Sequence, residues 1–390
     1  GTANVLMGGL AGDALTTGTN NTAIGHEALS TEDAHGTNVA VGYQSLKTLN
    51  AGANGSNVAV GYQTGLAMTT GIENTIIGAL AGDAITTGNN NTAMGHNSLS
   101  TNILSDHNVA IGNDALATHN TATSIDSYNV AVGSGAGAAV TTGTLNTFVG
   151  GNAGDAFNTG QENTGIGYQA LTADTKGKFS VAVGNNALAT QNFTTATSAF
   201  NTAVGYDAGL HLTTATKCTL IGANAGDAIT SGGFNTLIGQ NSGSAINTAD
   251  SNTAVGNATL QLNTKGDRNT AIGMNTLATL NHTTSVDAYN TAVGYEAGVA
   301  VTTGIENTLL GAQAGQSLQD ADYNTAVGVA ALKTDTLGSR SVAVGYASLL
   351  NQNFTTATGA HNTAVGFEAG KTVSTGIQNT FIGGLAGDAT

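Results

Sequence analysis

The pentad Asn-Thr-Ala-Val-Gly, with its variants, recurs along the whole chain at a short and nearly fixed interval. Aligned on the glycine, the copies begin at residues 4, 21, 38, 57, 74, 91, 108, 129, 146, 163, 180, 201, 218, 235, 252, 269, 290, 307, 324, 341, 362 and 379. Of the intervals between these 22 copies, sixteen are 17 residues, one is 19 and four are 21. A period this short means stacked coils, each burying against its neighbours what it cannot bury alone. The expected fold is all-β: a parallel β-solenoid of about 22 coils on a 17-residue repeat. It is expected to run as one continuous array over 1–390, and the open pattern at both ends suggests a fragment of a longer fibre protein.

Position 1 of the coil is the Asn and position 5 the Gly. Position 2 is Thr or Val and position 4 is apolar in every copy, from Met7 and Ile24 to Val365 and Ile382. Residues two apart on a strand share a face, so positions 2 and 4 are expected to point together into the coil. Position 3, mostly Ala, would then point outward. A strand apolar on both faces needs cover on both, so position 3 is expected to meet other chains. The candidates for that contact are Ala23, Ala40, Ala59, Ala93, Ala110, Phe148, Ala203, Ala292 and Phe381. On this assignment Val204→Asp damages the core, while Ala203→Glu and Ala292→Glu separate the chains.

Two columns trade size. Where position 3 is large (Leu6, Ile76, Phe148, Leu220, Leu309, Phe381), position 6 is Gly or Ala, with Leu237 and Gln240 departing. Where position 3 is Ala, position 6 is often Tyr, as at Tyr43 and Tyr62. Close packing conserves volume, so the two columns are expected to meet at one surface. The invariant Gly at position 5 should turn the chain where a side chain cannot go. A second strand is expected over Ala-Gly-Asp-Ala, as at Ala11 to Ala14, and then a Thr-Thr-Gly turn. Asn at position 1 suits a ladder whose amides bond the coils above and below and satisfy turn backbone groups.

The longer coils begin at 38, 108, 180, 269 and 341, every four coils with one five-coil spacing. A solenoid tolerates extra residues at its turns. The inserts Thr118 to Tyr128, Thr190 to Phe200, Thr279 to Tyr289 and Asn351 to His361 are therefore expected to project as loops. Asn192, Phe193, Thr194, Asn281, His282, Asn353 and Phe354 are the candidate recognition residues on them, and Tyr128, Phe200, Tyr289 and His361 are expected to anchor them.

Chemistry is sparse. Nine Lys+Arg against 24 Asp+Glu, a net charge of −15, argue against nucleic acid, which needs clustered basic residues. No run approaches the ~20 apolar residues of a membrane helix. The eight histidines fall in different columns and do not converge at the spacing of a zinc site. Gly133-Ser134-Gly135 is too short for a nucleophile elbow, and no catalytic constellation emerges, so no enzyme and no cofactor are expected. Ca²⁺ at the Ala-Gly-Asp-Ala aspartates (Asp13, Asp83, Asp155, Asp227, Asp388) stays open. Asn-x-Thr at Asn192, Asn281 and Asn353 matches a glycosylation acceptor, a pattern that chance supplies in so Asn- and Thr-rich a chain. Cys218, the one cysteine, stands in the Asn column as a small residue that fits.

Ser180-Val181-Ala182-Val183-Gly184 and Ser341-Val342-Ala343-Val344-Gly345 resemble the Ser-Val-Ala-Ile-Gly hallmark of trimeric autotransporter adhesin heads. The run Asn163 to Leu171 is similar to repeats of phage tail-fibre-like proteins. The resemblance implies a left-handed parallel β-roll, three chains about an axis, and the Ala23 and Ala40 column turned to that axis. The function it implies is the shaft or head of an extracellular homotrimeric fibre, on a cell surface or a virion, attaching to a host surface or glycan. Three rival functions remain open to such a fold. A self-assembling extracellular filament would stack coils end to end, an ice- or crystal-binding solenoid would use Thr-Thr turns, and a solenoid enzyme would need clustered carboxylates that are absent here.

Overall fold

Each pentad makes one three-residue strand, from position 2 to position 4, and from Val5–Met7 to Val181–Val183, and again from Thr202–Val204 to Thr380–Ile382, each strand pairs in parallel with that of the next coil. The computed structural model describes residues 1–388, and among them it contains no helix. The chain is a parallel β-solenoid of about 22 coils, and it forms two compact units, Gly1–Ala199 and Phe200–Thr390. Unit 1 carries the pentad strands from Val5–Met7 to Val181–Val183, unit 2 those from Thr202–Val204 to Thr380–Ile382.

Register is strict. Thr75 pairs with Thr92 and Ile76 with Ala93, each 17 residues on. The longer coils keep it: Val39 pairs with Val58, Val109 with Val130, Thr270 with Thr291 and Val342 with Thr363. Extra residues are therefore accommodated entirely within the turns.

The corner glycine behaves as its column predicts. Gly61 has φ +144, and a Cβ there would lie 2.6 Å from the Gly78 carbonyl oxygen of the next coil. The following stretch, expected as a second strand, is instead a run of turns. Positions 7 and 9 both take left-handed backbone, as at Glu27 (φ 55) and Leu29 (φ 50), and direct their N–H groups to neighbouring coils. The Glu27 N–H donates to Gly9 O and the Leu29 N–H to Ser45 O, so the stack is closed without extended geometry.

The asparagine ladder forms as expected. The Asn74 N–H donates to Asn57 Oδ1 at 3.0 Å, the Asn91 N–H to Asn74 Oδ1 at 2.9 Å, and Asn74 Nδ2 to the turn carbonyl of Gly88 at 2.9 Å. Cys218 fits within the ladder: its N–H donates to Asn201 Oδ1, and burial pushes its thiol up to about 11. Where Ser replaces Asn, position 12 of the same coil is Gln. Gln191 Nε2 donates to Ser180 Oγ at 3.1 Å and Gln352 Nε2 to Ser341 Oγ at 3.0 Å.

The strand faces are the reverse of the expected ones. Position 3 is buried and positions 2 and 4 are half-exposed, in the alternation seen at Thr22–Ile24, Val39–Val41 and Thr75–Ile77. Ala23, Ala40, Ala59, Ala93, Ala110, Phe148, Ala203 and Ala292 are all 0% exposed in the single chain. They belong to the coil's own core and cannot touch a partner. Phe381, in the last coil, is half-buried.

The size exchange also has a different partner. All seven large residues at position 3 face a Gly at position 9, from Leu6 with Gly12 to Phe381 with Gly387. A Cβ on Gly82 would lie 3.1 Å from Ile76 Cδ1, and one on Gly226 would lie 2.9 Å from Leu220 Cδ2. Where position 3 is Ala, position 9 is usually a buried Leu, as in Ala23 with Leu29 and Ala271 with Leu277. Position 6 is exposed at Tyr43, Tyr62 and Tyr206 and takes no part.

The third core column, position 12, is apolar in most coils and polar beside the inserts. His119 is fully buried, its Nε2 3.1 Å from Ser127 Oγ, and desolvation lowers its pKa from 6.5 to about 4. Between these values only the unfolded chain takes up the proton. The stability is therefore complete above pH 6.5 and lost as pH falls to about 4, by about 3 kcal/mol. Asp83, Asp174 and Asp227, held above the ordinary carboxyl range by burial, shift stability the opposite way on acidification. His119→Gln isolates the histidine: in denaturant titrations at pH 7 and pH 4 the wild type should lose stability relative to the variant by that amount.

Candidate functional site: the outer sheet face

With the faces assigned, the surface left without cover is the outer side of the pentad strands. Position 4 gives it a row of Val, Ile, Leu and Met, of which Ile221 is 38% exposed and Val204 36%. Thr or Val at position 2 lies beside this row, half-exposed in most coils. Position 6 adds aromatic rings that stack from coil to coil: His26 on Tyr43 at 5.6 Å, Tyr43 on Tyr62 at 5.4 Å, Tyr346 on Phe367 at 5.3 Å. From position 2 to position 6 no copy of the repeat carries Asp, Glu, Lys or Arg. A chain of net charge −15 thus keeps its Asp, Glu, Lys and Arg off this face, with His26 and His96 as the titratable side chains at position 6 besides Tyr. Charge depletion together with exposed aromatic and aliphatic groups is the signature of a buried interface core rather than of a solvated surface.

Charge appears at the rims and turns. Lys217 Nζ lies 4.8 Å above the Phe234 ring, and the Arg340 guanidinium lies 5.3 Å from that of Tyr323. Glu27 accepts hydrogen bonds from Lys47 Nζ at 2.7 Å and Gln44 Nε2 at 2.6 Å, which holds its carboxyl below the usual range. Such exposed pairs add little stability. Their effect is to keep long side chains aligned along the stack.

The inserts fold back. Gly177–Lys178 pairs in parallel with Thr197–Ser198, Gly266–Asp267 with Val286–Asp287, and Gly338–Ser339 with Thr358–Gly359, while Asp106 bridges to Asp126. Of the recognition candidates, Phe193, His282 and Phe354 are only 5–6% exposed, so they serve the core. Asn192, Thr194, Asn281 and Asn353 are exposed. Asn281 Oδ1 accepts the Thr264 hydroxyl at 2.7 Å and Asn353 Oδ1 the Thr336 hydroxyl at 3.1 Å, so both amides are held in a polar row along the turns. The expected anchors Tyr128, Phe200, Tyr289 and His361 stay exposed rather than sinking into the coil. Yet Tyr128 stacks on His107 of the preceding coil at 4.9 Å, Arg268 lies 5.7 Å from the Tyr289 ring, and the Tyr128 and Tyr289 hydroxyls donate to Asp126 and Asp287 of their own inserts at 3.3 Å.

Buried acceptors at position 12 hold the inserts down. Asp174 Oδ1 accepts the N–H groups of Gly177 at 3.0 Å and Phe193 at 3.1 Å, and its Oδ2 accepts Gln191 Nε2 at 2.6 Å. Asp335 repeats this with Gly338, Phe354 and Gln352. Glu32, Asn102 and Asn263 occupy the same place in the coils before the other long coils. The signal was present in the sequence, as a polar residue at position 12 immediately before each long coil.

Among the described residues, Glu32, Asp33 and His35 form the one group of potential metal ligands, with atoms within 4.8 Å of one another. Glu32 already accepts the His35 N–H at 3.0 Å and the Ala51 N–H at 3.1 Å, so the cluster is the insert clamp of its coil. Among the described residues the Ala-Gly-Asp-Ala aspartates join no such group. No family model and no curated protein matches the chain.

Proposed function

We propose that this chain is the shaft or head segment of an extracellular homotrimeric fibre, an adhesin or a tail fibre, with a structural task of reach and attachment to a host surface or glycan. The observation that carries the reading is the uncharged outer sheet face. It repeats on every coil, and each chain offers it at the same rise, so a second copy of the chain can cover it rung by rung. The likeness of Ser180 to Gly184 and Ser341 to Gly345 to adhesin-head repeats supplies the number three. Light scattering is expected to give three times the 38.3 kDa chain. Ile238→Asp with Val255→Asp should reduce this to one chain without altering the circular dichroism. A wild-type monomer at micromolar concentration would overturn the reading.

A second reading rests on one specific feature. From Thr202 to Thr325 position 2 is Thr in eight consecutive coils, a regular hydroxyl row beside the Val and Ile row. Such a surface suits ice or a crystal face. Thermal hysteresis from the intact protein would favour it, and none is expected if chains cover that row.

A further inference from the structure

The residue immediately before the Asn takes left-handed backbone in every coil and gives the stack one side chain per rung. This file runs on the turn side of the strand, where the Tyr289 hydroxyl reaches back to Asp287 Oδ2 at 3.3 Å. Over five successive coils of unit 2 it reads Arg268, Tyr289, Glu306, Tyr323, Arg340. The order is cation, ring, carboxylate, ring, cation. Nowhere else in the file does a carboxylate stand between two rings.

The Arg268 guanidinium lies 5.7 Å from the Tyr289 ring and that of Arg340 lies 5.3 Å from the Tyr323 ring. Each Arg approaches its ring from outside the pair. The remaining ring faces are therefore turned toward each other across the Glu306 rung. Two rises of ~4.8 Å set the rings ~10 Å apart. Tyr289 is 51% exposed, Tyr323 43%, and Glu306 is exposed between them. Among the described residues the Glu306 carboxylate accepts no hydrogen bond and pairs with no cation. Asp322 stands beside it, its Oδ1 held at 2.9 Å by the Ile305 N–H. With Asp287, the carboxylates here outnumber the two guanidinium groups.

The same file shows what such a rung holds when it is filled. Phe200 and Phe234 are also two coils apart, and the residue between them is Lys217, whose Nζ lies 4.8 Å above the Phe234 ring. There the chain supplies its own cation. At Glu306 the rings are kept and the charge between them is reversed. We infer that Tyr289, Glu306 and Tyr323 bind an organic cation of the quaternary ammonium class between the two rings. A group midway lies ~5 Å from each ring, inside the ~6 Å reach of a cation–π contact, with the Glu306 carboxylate as counter-ion. A hard metal ion would demand several oxygen ligands at once. A free primary ammonium is strongly hydrated and loses more water on entry than ring faces return. A quaternary ammonium carries no N–H and suits the ring faces. The site is separate from the uncharged outer face and does not depend on the association proposed above. The trimethylammonium group can come from free choline or from a phosphocholine headgroup on a surface.

Titration calorimetry of the intact protein with choline tests the site, against the neutral isostere dimethylbutanol, in which carbon replaces the nitrogen. One equivalent per chain is expected, with the isostere about tenfold weaker or more. Glu306→Lys copies the Lys217 rung, a side chain the stack already accommodates, and should abolish binding. Lys217→Glu should create a second equivalent between Phe200 and Phe234. Equal affinity for the isostere, or binding that survives Glu306→Lys, overturns the inference. So does the absence of binding at about 10 mM choline to protein of unchanged circular dichroism. Tighter binding of butylammonium than of choline overturns the choice of ligand and assigns the slot to a lysine side chain of a partner. Vesicles separate the two sources. Sedimentation with phosphatidylcholine but not phosphatidylglycerol assigns the headgroup, and choline binding without sedimentation assigns the free cation.

Discussion

Phe148→Ala is expected to destabilise its part of the stack by about 3–5 kcal/mol, the usual cost of emptying an aromatic site in a close-packed core. The ring is 0% exposed and lies 5.1 Å from that of Phe157. Its volume explains two glycines: a Cβ on Gly154 would run into the ring itself, and one on Gly165 would lie 3.1 Å from Cδ1. The sharper expectation concerns Gly154→Leu. Alone it should also be costly, since ring and side chain compete for one space. Added to Phe148→Ala it should recover about 1–2 kcal/mol, because Ala at position 3 with Leu at position 9 is the arrangement of Ala23 and Leu29. Backbone strain is no obstacle, since Leu171 holds φ 55 where Gly154 holds φ 58. A double-mutant cycle by denaturant unfolding, with hydrogen exchange localising the loss, reads the coupling. Simple additivity would mean that positions 3 and 9 do not share the space assigned to them.

Period, register, corner glycine and asparagine ladder were legible in the sequence because each depends only on the repeat and on backbone geometry. The faces were not, because both are apolar, and apolarity alone cannot say which is inside. Parity could have decided it. An Asn that bonds turn carbonyls across the coil must point inward, and residues two apart share a face, so Asn21 inside requires Ala23 inside and Ile24 outside. The trade with position 6 misled for a related reason: positions 6 and 9 both follow position 3 through the recurring blocks. Among the coils with a large position 3, the coil of Leu237 alone separates them, where Gln240 breaks the pattern and Gly243 keeps it.

The length of an insert alone does not say whether it projects. Four extra residues in a turn suggest a projecting loop when nothing holds them. Here a buried acceptor does: Asp174 collects N–H groups from its own turn and from Phe193 in the next coil, drawing the ring to 6% exposure. Such a clamp spans two coils and is invisible to any reading of one repeat at a time. A strand apolar on both faces calls for cover on both. That requirement now applies to Val204 and its column instead of Ala203 and its own.

Ala203→Asp and Val204→Asp, one residue apart, should therefore have opposite consequences. Ala203 is 0% exposed and its Cα is paired with that of Leu220 in the next coil. A carboxylate there is buried without a partner and should cost several kcal/mol, on the order of 4, unfolding the surrounding coils whether or not chains associate. Val204 is 36% exposed on the outer face. In a single chain an aspartate there reaches water, and the change should stay within about 1 kcal/mol. In the assembly the same charge would be enclosed at the contact, so Val204→Asp should lower the oligomeric mass while leaving circular dichroism and hydrogen-exchange protection intact. The two readouts need not fail together. An intact oligomer carrying Val204→Asp would place the contact elsewhere on the coil, whereas a folded Ala203→Asp chain would return the strand to the orientation first expected from its sequence.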